Sequence, residues 1–327
     1  MRPGDNASRP PLIVIAGPTA SGKTALALAI AARLPDLVDV MGFEGVEIIS
    51  ADSRQIYRLM DIATAKPSAE ERARVPHHAL DMIWPDESYT LAEYQRDAQA
   101  AISAIHARGR LPLLVGGTGL YIRAVVDGLA IPEVEPQAEL RAELEAEAAT
   151  HGAAALVERL RRVDPISASR IDQANVRRLV RALEVSLVTG KPFSEQQGSR
   201  PTPYTTILTL GLSMERTALH ARADQRIAAM LRSGLVEETR ALVERGYTWS
   251  LPSMSSLGYR EMGAYLRGEI SLEEAVARFE FATHAYIRRQ MTWFRTDTRI
   301  HWLDAALPLD ELTGVAIAAI RHALASG

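Results

Sequence analysis

The stretch Gly17-Pro-Thr-Ala-Ser-Gly22-Lys23-Thr24 decides the fold of this chain. It matches the pattern G-x-x-x-x-G-K-[ST] and lies between an apolar run at 12–16 and a helical pattern at 23–34. In that context, a glycine-rich turn presents backbone N–H groups to phosphate oxygens at a helix N-terminus. The stretch therefore predicts a loop that binds a diphosphate or a triphosphate. Lys23 would contact the outer oxygens, and the Thr24 hydroxyl would hold Mg²⁺.

Strand-like runs alternate with helical patterns on both sides of this loop. Apolar runs at 46–50 and 112–115 are typical of buried parallel strands, and apolar residues at helical spacing cover 91–107. This alternation predicts an α/β fold, a P-loop NTPase-like core with a parallel sheet and right-handed crossovers. The other elements expected are strands at 205–212 and 299–303 and helices at 215–232, 234–245, 271–295 and from about 309.

The composition changes near Ile131, where prolines and an acid-rich stretch begin a helical section. No strand-like run occurs between there and the Gly/Ser/Pro-rich passage at 198–203. We therefore predict a discontinuous catalytic core, 1–127 and 198–327, that is interrupted by an inserted all-helical domain at 128–197. Two consecutive domains are the alternative arrangement.

Composition excludes several classes of protein. The chain has 327 residues, of which 47% are hydrophobic and 24% charged, as in globular rather than disordered or fibrous proteins. Its apolar runs, such as 12–16, are far shorter than the roughly 20 residues of a membrane helix. Cysteine is absent, which excludes disulfides, thiolate catalysis and cysteine-bound zinc. These features predict a cytoplasmic protein without a membrane partner.

Asp52 follows the second predicted strand, at the carboxyl edge where open sheets bind ligands. A carboxylate there can accept a proton or help to hold Mg²⁺ through water, and a helix cap is its alternative role. The third strand ends in Gly116-Gly117-Thr118, where many P-loop ATPases have an acidic residue. The chain also lacks an N-K-x-D motif, which argues against a guanine-specific GTPase.

Together with the phosphate loop, further segments resemble tRNA dimethylallyltransferases. These segments are Asp52-Ser53 with Gln55-Ile-Tyr57, then 60–67, 115–121, 181–185, 258–261 and 289–295. The likeness covers about residues 12–303 in consistent order. It implies transfer of a dimethylallyl group from dimethylallyl diphosphate to N6 of the adenosine directly 3′ of the anticodon in a tRNA. It also implies a monomer whose inserted helical domain closes on the anticodon stem-loop.

The resemblance assigns the catalytic roles. Asp52 maps onto the base that takes a proton from the weakly nucleophilic adenine amino group. Thr118 maps to a position near the diphosphate, while Lys23 and Arg226 neutralise the departing diphosphate together with Mg²⁺. On pattern alone, Thr118 is equally a turn residue and Arg226 part of a solvated helix face with Arg222. The expected diphosphate-binding residues are Gly17, Thr19, Ala20, Ser21, Gly22, Lys23, Thr24 and Arg226.

Arginine-rich helices provide the candidates for RNA contact. Arg177, Arg178 and Arg181 form a basic stripe on one predicted helix, and basic and aromatic residues alternate at 284–295. A solvated charged face would show the same pattern. The resemblance adds residues that read a flipped-out adenine. The expected tRNA contacts are Asp52, Ser53, Arg54, Gln55, Thr118, Arg141, Arg177, Arg178, Arg181, Gly258, Tyr259, Arg260, Arg288, Arg289 and Gln290.

Two departures from the family pattern concern RNA binding. Residues 172–175 replace a Pro-Asn-Asp sequence, and His284 stands where the family often has arginine, which would remove one phosphate contact. The pair His77-His78 has no acidic residue at ligand spacing, so we expect a structural or loop role for it. Mg²⁺ carried with the diphosphate is the only metal ion expected.

Two other functions compete with prenyl transfer. A small-molecule kinase of the adenylate-kinase type would use the same loop for ATP and would use Asp52 to activate a hydroxyl. A non-catalytic RNA-binding protein would retain the loop but would not require Asp52.

Overall fold

The computed structural model describes residues 10–33, 42–199, 201–202, 204 and 207–326. The chain folds into two compact units, one of Met1–Val126 with Thr202–Gly327 and the other of Asp127–Pro201. The first unit therefore draws on segments from both sides of the second. The predicted insertion at 128–197 lies inside the second unit, which extends beyond it at both ends.

The strands and helices of the described residues follow the order expected from the pattern. The strands are β1 (Leu12–Ala16), β2 (Gly45–Ser50), β3 (His77–His78), β4 (Arg110–Gly116), β5 (Leu129–Ala130), β6 (Gly198–Ser199), β7 (Ile207–Ser213) and β8 (Ile300–Asp304). The helices are α1 (Lys23–Ala32), α2 (Ala69–Arg74), α3 (Leu91–Ala107), α4 (Gly119–Val126), α5 (Ala138–His151), α6 (Ala153–Val163), α7 (Pro165–Arg170), α8 (Val176–Thr189), α9 (Arg216–Arg232), α10 (Leu235–Glu244), α11 (Tyr259–Leu266), α12 (Leu272–Arg295) and α13 (Leu309–Ser326). A short 3-10 helix spans Phe193–Gln196.

A parallel sheet with strand order β3-β2-β4-β1-β7-β8 forms the centre of the first unit. On β1, Val14 lies beside Leu114 of β4 and Thr209 of β7. Every strand in this sheet runs in the same direction as its neighbours, which confirms the predicted α/β class. The carboxyl ends of β1, β2 and β4 consequently lie at one edge of the sheet, where the phosphate loop begins.

Alternate residues of β1 face two apolar layers, as the pleat of a strand requires. Ile13 and Ile15 belong to a cluster with Leu26 of α1 and Ile317 of α13. Leu12 and Val14 belong to a second cluster, which includes residues of α3, α4 and α12. A third cluster joins segment 56–60 to α10, α11 and α12. The sheet is thus covered on both faces, which explains why its central strand β1 is apolar throughout.

Helix starts and strand edges follow local chemistry. Thr90 and Glu93 form a reciprocal capping box that begins α3. His77-His78 forms the edge strand β3, because His78 contacts the buried carboxylate of Glu47 at 2.6 Å and the backbone pairs with β2. The predicted strand at 205–212 is observed from Ile207 to Ser213, while residues 205 and 206 lie outside the described residues.

The second unit is helical apart from one short antiparallel pair. Ala130 pairs with Gly198, so the ends of the unit are joined by β5 and β6 and residue 198 belongs here rather than to the core. Its helices pack around a cluster of leucines on α5, α6 and α8. The fully buried Asp164 accepts hydrogen bonds from Ser167 and Ser194, and in this way it fixes α7 and the 3-10 helix.

No helix among the residues that the structure describes is long and apolar enough to cross a membrane.

Candidate active site

The phosphate loop connects β1 to α1. Gly17 follows β1 directly, and the backbone then turns through Ala20, whose φ of 63° is left-handed. Gly22, with a φ of 95°, ends the turn immediately before α1, and a side chain other than hydrogen would be strained in that conformation. The loop therefore has the glycine-dependent geometry that the sequence predicts.

Polar groups of this loop are available to a ligand. Lys23 Nζ donates a hydrogen bond to the carbonyl of Pro18 at 2.7 Å, and its side chain lies over the loop. The hydroxyl of Ser21 is buried and has no hydrogen-bond partner within the described part of the chain. Thr24 is half-buried at the second position of α1, directly after the loop. An anion with several oxygens would supply partners for these donors.

The lysine of this loop has a lowered pKa because of its surroundings. Burial and the positive charge of Arg226 lower the pKa of Lys23 to about 8, whereas the negative charge of Asp52 acts in the opposite direction. Burial also lowers the pKa of Arg226, and Asp52 again opposes the shift. The structure thus brings together Lys23, Asp52 and Arg226, as predicted. Excess positive charge at this edge favours a bound polyanion.

A second arginine of α9 lies beside the loop. Arg222 Nη1 donates to the carbonyl of Ala305 at 3.2 Å, and its Nη2 lies 3.4 Å from the position that a Cβ at Gly22 would occupy. Because Arg222 and Arg226 lie one helical turn apart, α9 presents both guanidinium groups to the same side of the molecule. Arg222 and Arg226, which the sequence places on one helix face, therefore both lie at the phosphate loop.

Asp52 lies just after β2. Its carboxylate makes a hydrogen bond within the turn and also acts electrostatically on the charged residues at the phosphate loop. Its Oδ1 accepts a hydrogen bond from the backbone of Arg54 at 2.8 Å and so fixes a turn at 53–56, not a helix start, which was the alternative role that the sequence left open. Its charge nonetheless acts on Lys23 and Arg226 across the site. One carboxylate therefore fixes the turn after β2 and faces the phosphate loop.

Thr118 joins the ends of β2 and β4. Its Oγ1 accepts a hydrogen bond from the backbone of Ser53 at 3.0 Å, and its own N–H donates to the carbonyl of Ala51 at 3.0 Å. This close approach requires glycine at position 116, since a Cβ there would lie 2.1 Å from the Ala51 oxygen. Thr118 is thus beside Asp52 in the site, and it also makes the turn contacts that the sequence allowed.

Tyr286 of α12 belongs to this site, although the sequence pattern placed it only among the aromatic residues at 284–295 that could stack on RNA. Burial and the negative charge of Asp52 raise its pKa to about 12, while Arg54 and a hydrogen bond with Thr118 act in the opposite direction. Tyr286 lies one helical turn before Gln290, which belongs to segment 289–295 of the family resemblance. That spacing was the available signal.

Gln290 has a different place from the predicted one. It is only 6% exposed, its Oε1 accepts a hydrogen bond from Thr19 N at 2.9 Å, and its Nε2 donates to the carbonyl of Gly117 at 2.9 Å. The predicted tRNA contact is thus a buried bridge that fixes the phosphate loop against the end of β4.

Gln55 is also engaged within the fold. Its Oε1 accepts a hydrogen bond from the Ser50 hydroxyl at 2.8 Å, and its Nε2 donates to the carbonyls of Thr64 and Ala65, each at 3.2 Å. An adenine edge would have to share these contacts or replace them. The neighbouring Arg54, also an expected tRNA contact, reaches the carbonyl of Pro252 at 3.1 Å.

The predicted tRNA contacts at 258–260 divide into buried and exposed positions. Gly258 and Tyr259 are buried, and the Tyr259 hydroxyl donates to the carboxylate of Glu238, so neither offers a side chain to RNA. Arg260 is exposed on the rim of a groove of about 820 Å³ between α11 and α12. The same groove includes Arg289 and Phe281, whose exposure is 75%. Arg288 is exposed on α12 as well.

In the second unit, the predicted arginines also divide. Arg177 and Arg178 are exposed at the start of α8. Arg141 and Arg181 instead hold the fully buried carboxylate of Glu184, at 2.7 Å and 2.6 Å. Burial favours the neutral acid, but hydrogen bonds from Arg141, the Gln137 backbone and Arg181 outweigh it and lower the pKa of Glu184. Arg141 and Arg181, both predicted tRNA contacts, therefore form ion pairs within the fold.

The histidines have internal partners. The ring of His284 stacks on His220 with centroids 4.0 Å apart, and its Nε2 contacts Asp224 Oδ1 at 2.7 Å. His284 thus joins α12 to α9. Within the described ranges, no group of three or more His, Cys, Asp or Glu side chains is arranged to hold a metal ion.

Comparison with known proteins shows extended similarity. The pattern of the family described as IPP transferase matches residues 55–297. A protein of Roseiflexus sp. (strain RS-1) named tRNA dimethylallyltransferase is 54% identical over 285 residues, which cover 87% of this chain and 90% of the relative. A protein of the same name from Dehalococcoides mccartyi is 44% identical over 318 residues, 97% of this chain and 94% of the relative.

Solved structures agree with these relatives. A full-length tRNA isopentenylpyrophosphate transferase from Bacillus halodurans has a TM-score of 0.70 at 38% identity, covering 96% of this chain and 97% of its own. A eukaryotic dimethylallyltransferase described as acting on tRNA has a TM-score of 0.73 at 27% identity, covering 90% of this chain and 74% of its own.

Proposed function

The chain belongs to the IPP transferase family, and from that membership and its site we propose that it transfers a dimethylallyl group from dimethylallyl diphosphate to N6 of the adenosine directly 3′ of a tRNA anticodon. The observation that carries the proposal is the group of Lys23, Arg226 and Asp52 at the phosphate loop. Two cations for a diphosphate lie there beside one carboxylate for a proton.

The reaction forms a bond between N6 and the allylic carbon and breaks the bond from that carbon to the diphosphate oxygen. Lys23, Arg226 and the loop amides stabilise the negative charge that develops on the departing diphosphate. Asp52 accepts the N6 proton, since the adenine lone pair is delocalised and the amino group is a weak nucleophile. Thr118 holds the turn that carries Asp52.

Mg²⁺ fits the oxygen donors of this loop. Divalent magnesium prefers oxygen ligands, and the hydroxyl of Thr24 would hold it together with the diphosphate. When bound, Mg²⁺ supplies positive charge at the leaving-group oxygens. The residues of the chain bind and orient the diphosphate that carries it.

The RNA partner in this proposal is the anticodon stem-loop of a tRNA. Exposed arginines supply the phosphate contacts, namely Arg177 and Arg178 in the second unit and Arg260, Arg288 and Arg289 in the first. The target adenosine has to leave its stack before N6 can approach Asp52. A monomer that acts in the cytoplasm is part of the same proposal.

A paired assay tests the function directly. Purified protein with Mg²⁺ and an unmodified anticodon stem-loop receives dimethylallyl diphosphate in one sample and ATP in the other, and the digested RNA is analysed by nucleoside mass spectrometry. We expect isopentenyladenosine with dimethylallyl diphosphate only. A matched transcript with guanosine in place of the target adenosine should give no product.

The same assay separates the competing functions. Phosphate transfer or hydrolysis in the ATP sample, without any prenylated nucleoside, would refute the proposal in favour of a kinase. RNA binding without either product would leave only a non-catalytic RNA-binding protein.

A further inference from the structure

Glu238 is a half-buried carboxylate outside the group of residues that contact the phosphate loop. It lies in the first turn of α10, and its two oxygens accept hydrogen bonds from the backbone N–H groups of Asp61 and Ile62 at 3.0–3.1 Å. The hydroxyl of the buried Tyr259 donates to the same carboxylate. Burial raises the pKa of Glu238, so its contacts are made at a cost in solvation.

The backbone that Glu238 holds does not adopt a relaxed conformation. Leu59 and Ala65, which flank the loop at 60–64, have left-handed φ angles of 66° and 50°. Such conformations persist in non-glycine residues only where the surroundings impose them. The Glu238 carboxylate is one source of that constraint, and Lys66, whose side chain is 1% exposed and contacts Asp61 at 2.7 Å, is another.

This loop in turn orients Gln55. The carbonyls of Thr64 and Ala65 accept both hydrogen bonds of the Gln55 amide nitrogen. Gln55 lies three residues after Asp52, in the turn that the Asp52 carboxylate itself caps. A continuous series of contacts therefore runs from Glu238, through the loop backbone, to the acceptor side of the site.

We propose that Glu238 is a positioning residue for the RNA substrate, because its hold on the Asp61 and Ile62 amides sets the carbonyls that orient Gln55 beside Asp52. The kinetic part of this inference rests on the proposed function. The diphosphate side of the site is held separately, by the contact of Gln290 with the Thr19 amide, so we expect Glu238 not to affect it.

The first test compares Glu238→Gln with Glu237→Gln, an exposed glutamate in the same helical turn. Loss of a hydrogen bond to a charged group predicts a roughly 10- to 100-fold lower kcat/KM for the stem-loop in Glu238→Gln. The KM for dimethylallyl diphosphate and all parameters of Glu237→Gln should be unchanged. A rise in the KM for dimethylallyl diphosphate as large as the loss of kcat/KM for the stem-loop would overturn the inference.

The second test asks whether Glu238 acts through Gln55. If it does, the double variant Glu238→Gln/Gln55→Ala should be no slower than Gln55→Ala alone, since both changes remove the same contact. Effects that multiply would show that Glu238 acts by another route. Tyr259→Phe, which keeps the carboxylate and removes one donor, should give a milder effect in the same direction if Glu238→Gln folds poorly.

Hydrogen exchange decides the inference independently of catalysis. The amides of Asp61 and Ile62 should exchange faster in Glu238→Gln or Tyr259→Phe, but not in Glu237→Gln, while protection of α1 stays constant. Unchanged exchange at both amides would refute the positioning role. A wild-type protein that yields no prenylated RNA would instead refute the proposed function, and the exchange result would still decide the role of Glu238.

Discussion

The segments that follow β1 and β2 meet at one edge of the sheet but use their polar groups in opposite ways. In the phosphate loop, Ser21 has a buried hydroxyl without a partner in the described chain, and burial and the charge of Arg226 lower the pKa of Lys23. In segment 51–66, Gln55 and Lys66 make several internal contacts each. The first segment therefore has donors that a bound anion would satisfy, whereas the polar groups of the second already have partners within the chain.

Asp52 lies between these two modes, and its removal should have the largest effect. Asp52→Asn keeps an acceptor for the Arg54 backbone but cannot take the N6 proton, so we expect the single-turnover rate to fall by roughly 10²- to 10⁴-fold. Binding of the stem-loop and thermal stability should be retained. Rapid-quench measurement with saturating dimethylallyl diphosphate gives the rate.

Asp52→Ala provides the comparison for the capping contact. Its single-turnover rate should fall as far as that of Asp52→Asn. Its stability should also fall, because the Arg54 N–H loses its partner. A fast Asp52→Asn enzyme would mean that another group takes the proton and that Asp52 serves only the turn.

The open character of the phosphate loop predicts a pH dependence. With a pKa of about 8 in the free protein, Lys23 is charged below that pH and progressively neutral above it. The KM for dimethylallyl diphosphate should therefore rise above pH 8 by up to about tenfold per pH unit, since binding then has to take up a proton. Steady-state KM values measured from neutral pH upward test this.

Lys23→Arg is the matched control, because arginine keeps its charge throughout this pH range. Its KM for the diphosphate should be flat across the range in which the wild-type KM rises. A wild-type KM that does not change with pH would show that Lys23 does not take up a proton when the diphosphate binds.

The contrast between open and engaged groups also explains what the sequence reveals. The phosphate loop is predictable because its glycines and lysine act within eight consecutive residues and require no distant partner. The parallel core is predictable because its central strand β1 is apolar throughout and short apolar runs alternate with helical patterns. Both follow from short-range pattern, and the structure confirms both.

The engaged groups were misjudged because their partners are remote in sequence. Gln290 meets Gly117 across 173 positions, and Arg141 meets Glu184 across 43. Polarity alone does not tell an RNA contact from a buried bridge, and Glu238 gave no signal, since an acidic residue in a first helical turn is common. The family resemblance named the segments but not the direction of each side chain.

A close approach between Gly116 and the Ala51 carbonyl joins segment 51–66 to β4. In Gly116→Ala, the Cβ would lie 2.1 Å from the Ala51 oxygen, so the backbone before Asp52 has to move. We expect the free energy of unfolding to fall by about 1–3 kcal/mol, as in other overpacked sites, with loss of activity. Chemical denaturation measures the change. Gly198→Ala, where a Cβ meets nothing within 4 Å, should leave stability unchanged, and an equally stable Gly116→Ala would contradict the close approach.

The second unit repeats the contrast on a smaller scale. Arg178 is exposed, so Arg178→Ala should reduce the slope of log affinity against log salt by about one and leave stability unchanged. Arg181 holds the buried carboxylate of Glu184, so Arg181→Ala should lower stability and leave the slope intact. Because the pKa of Glu184 is lowered in the fold, this stability difference should shrink as pH falls through that pKa. An equal loss of slope in both variants would mean that RNA opens the ion pair, and engaged arginines would then count as binding residues after all.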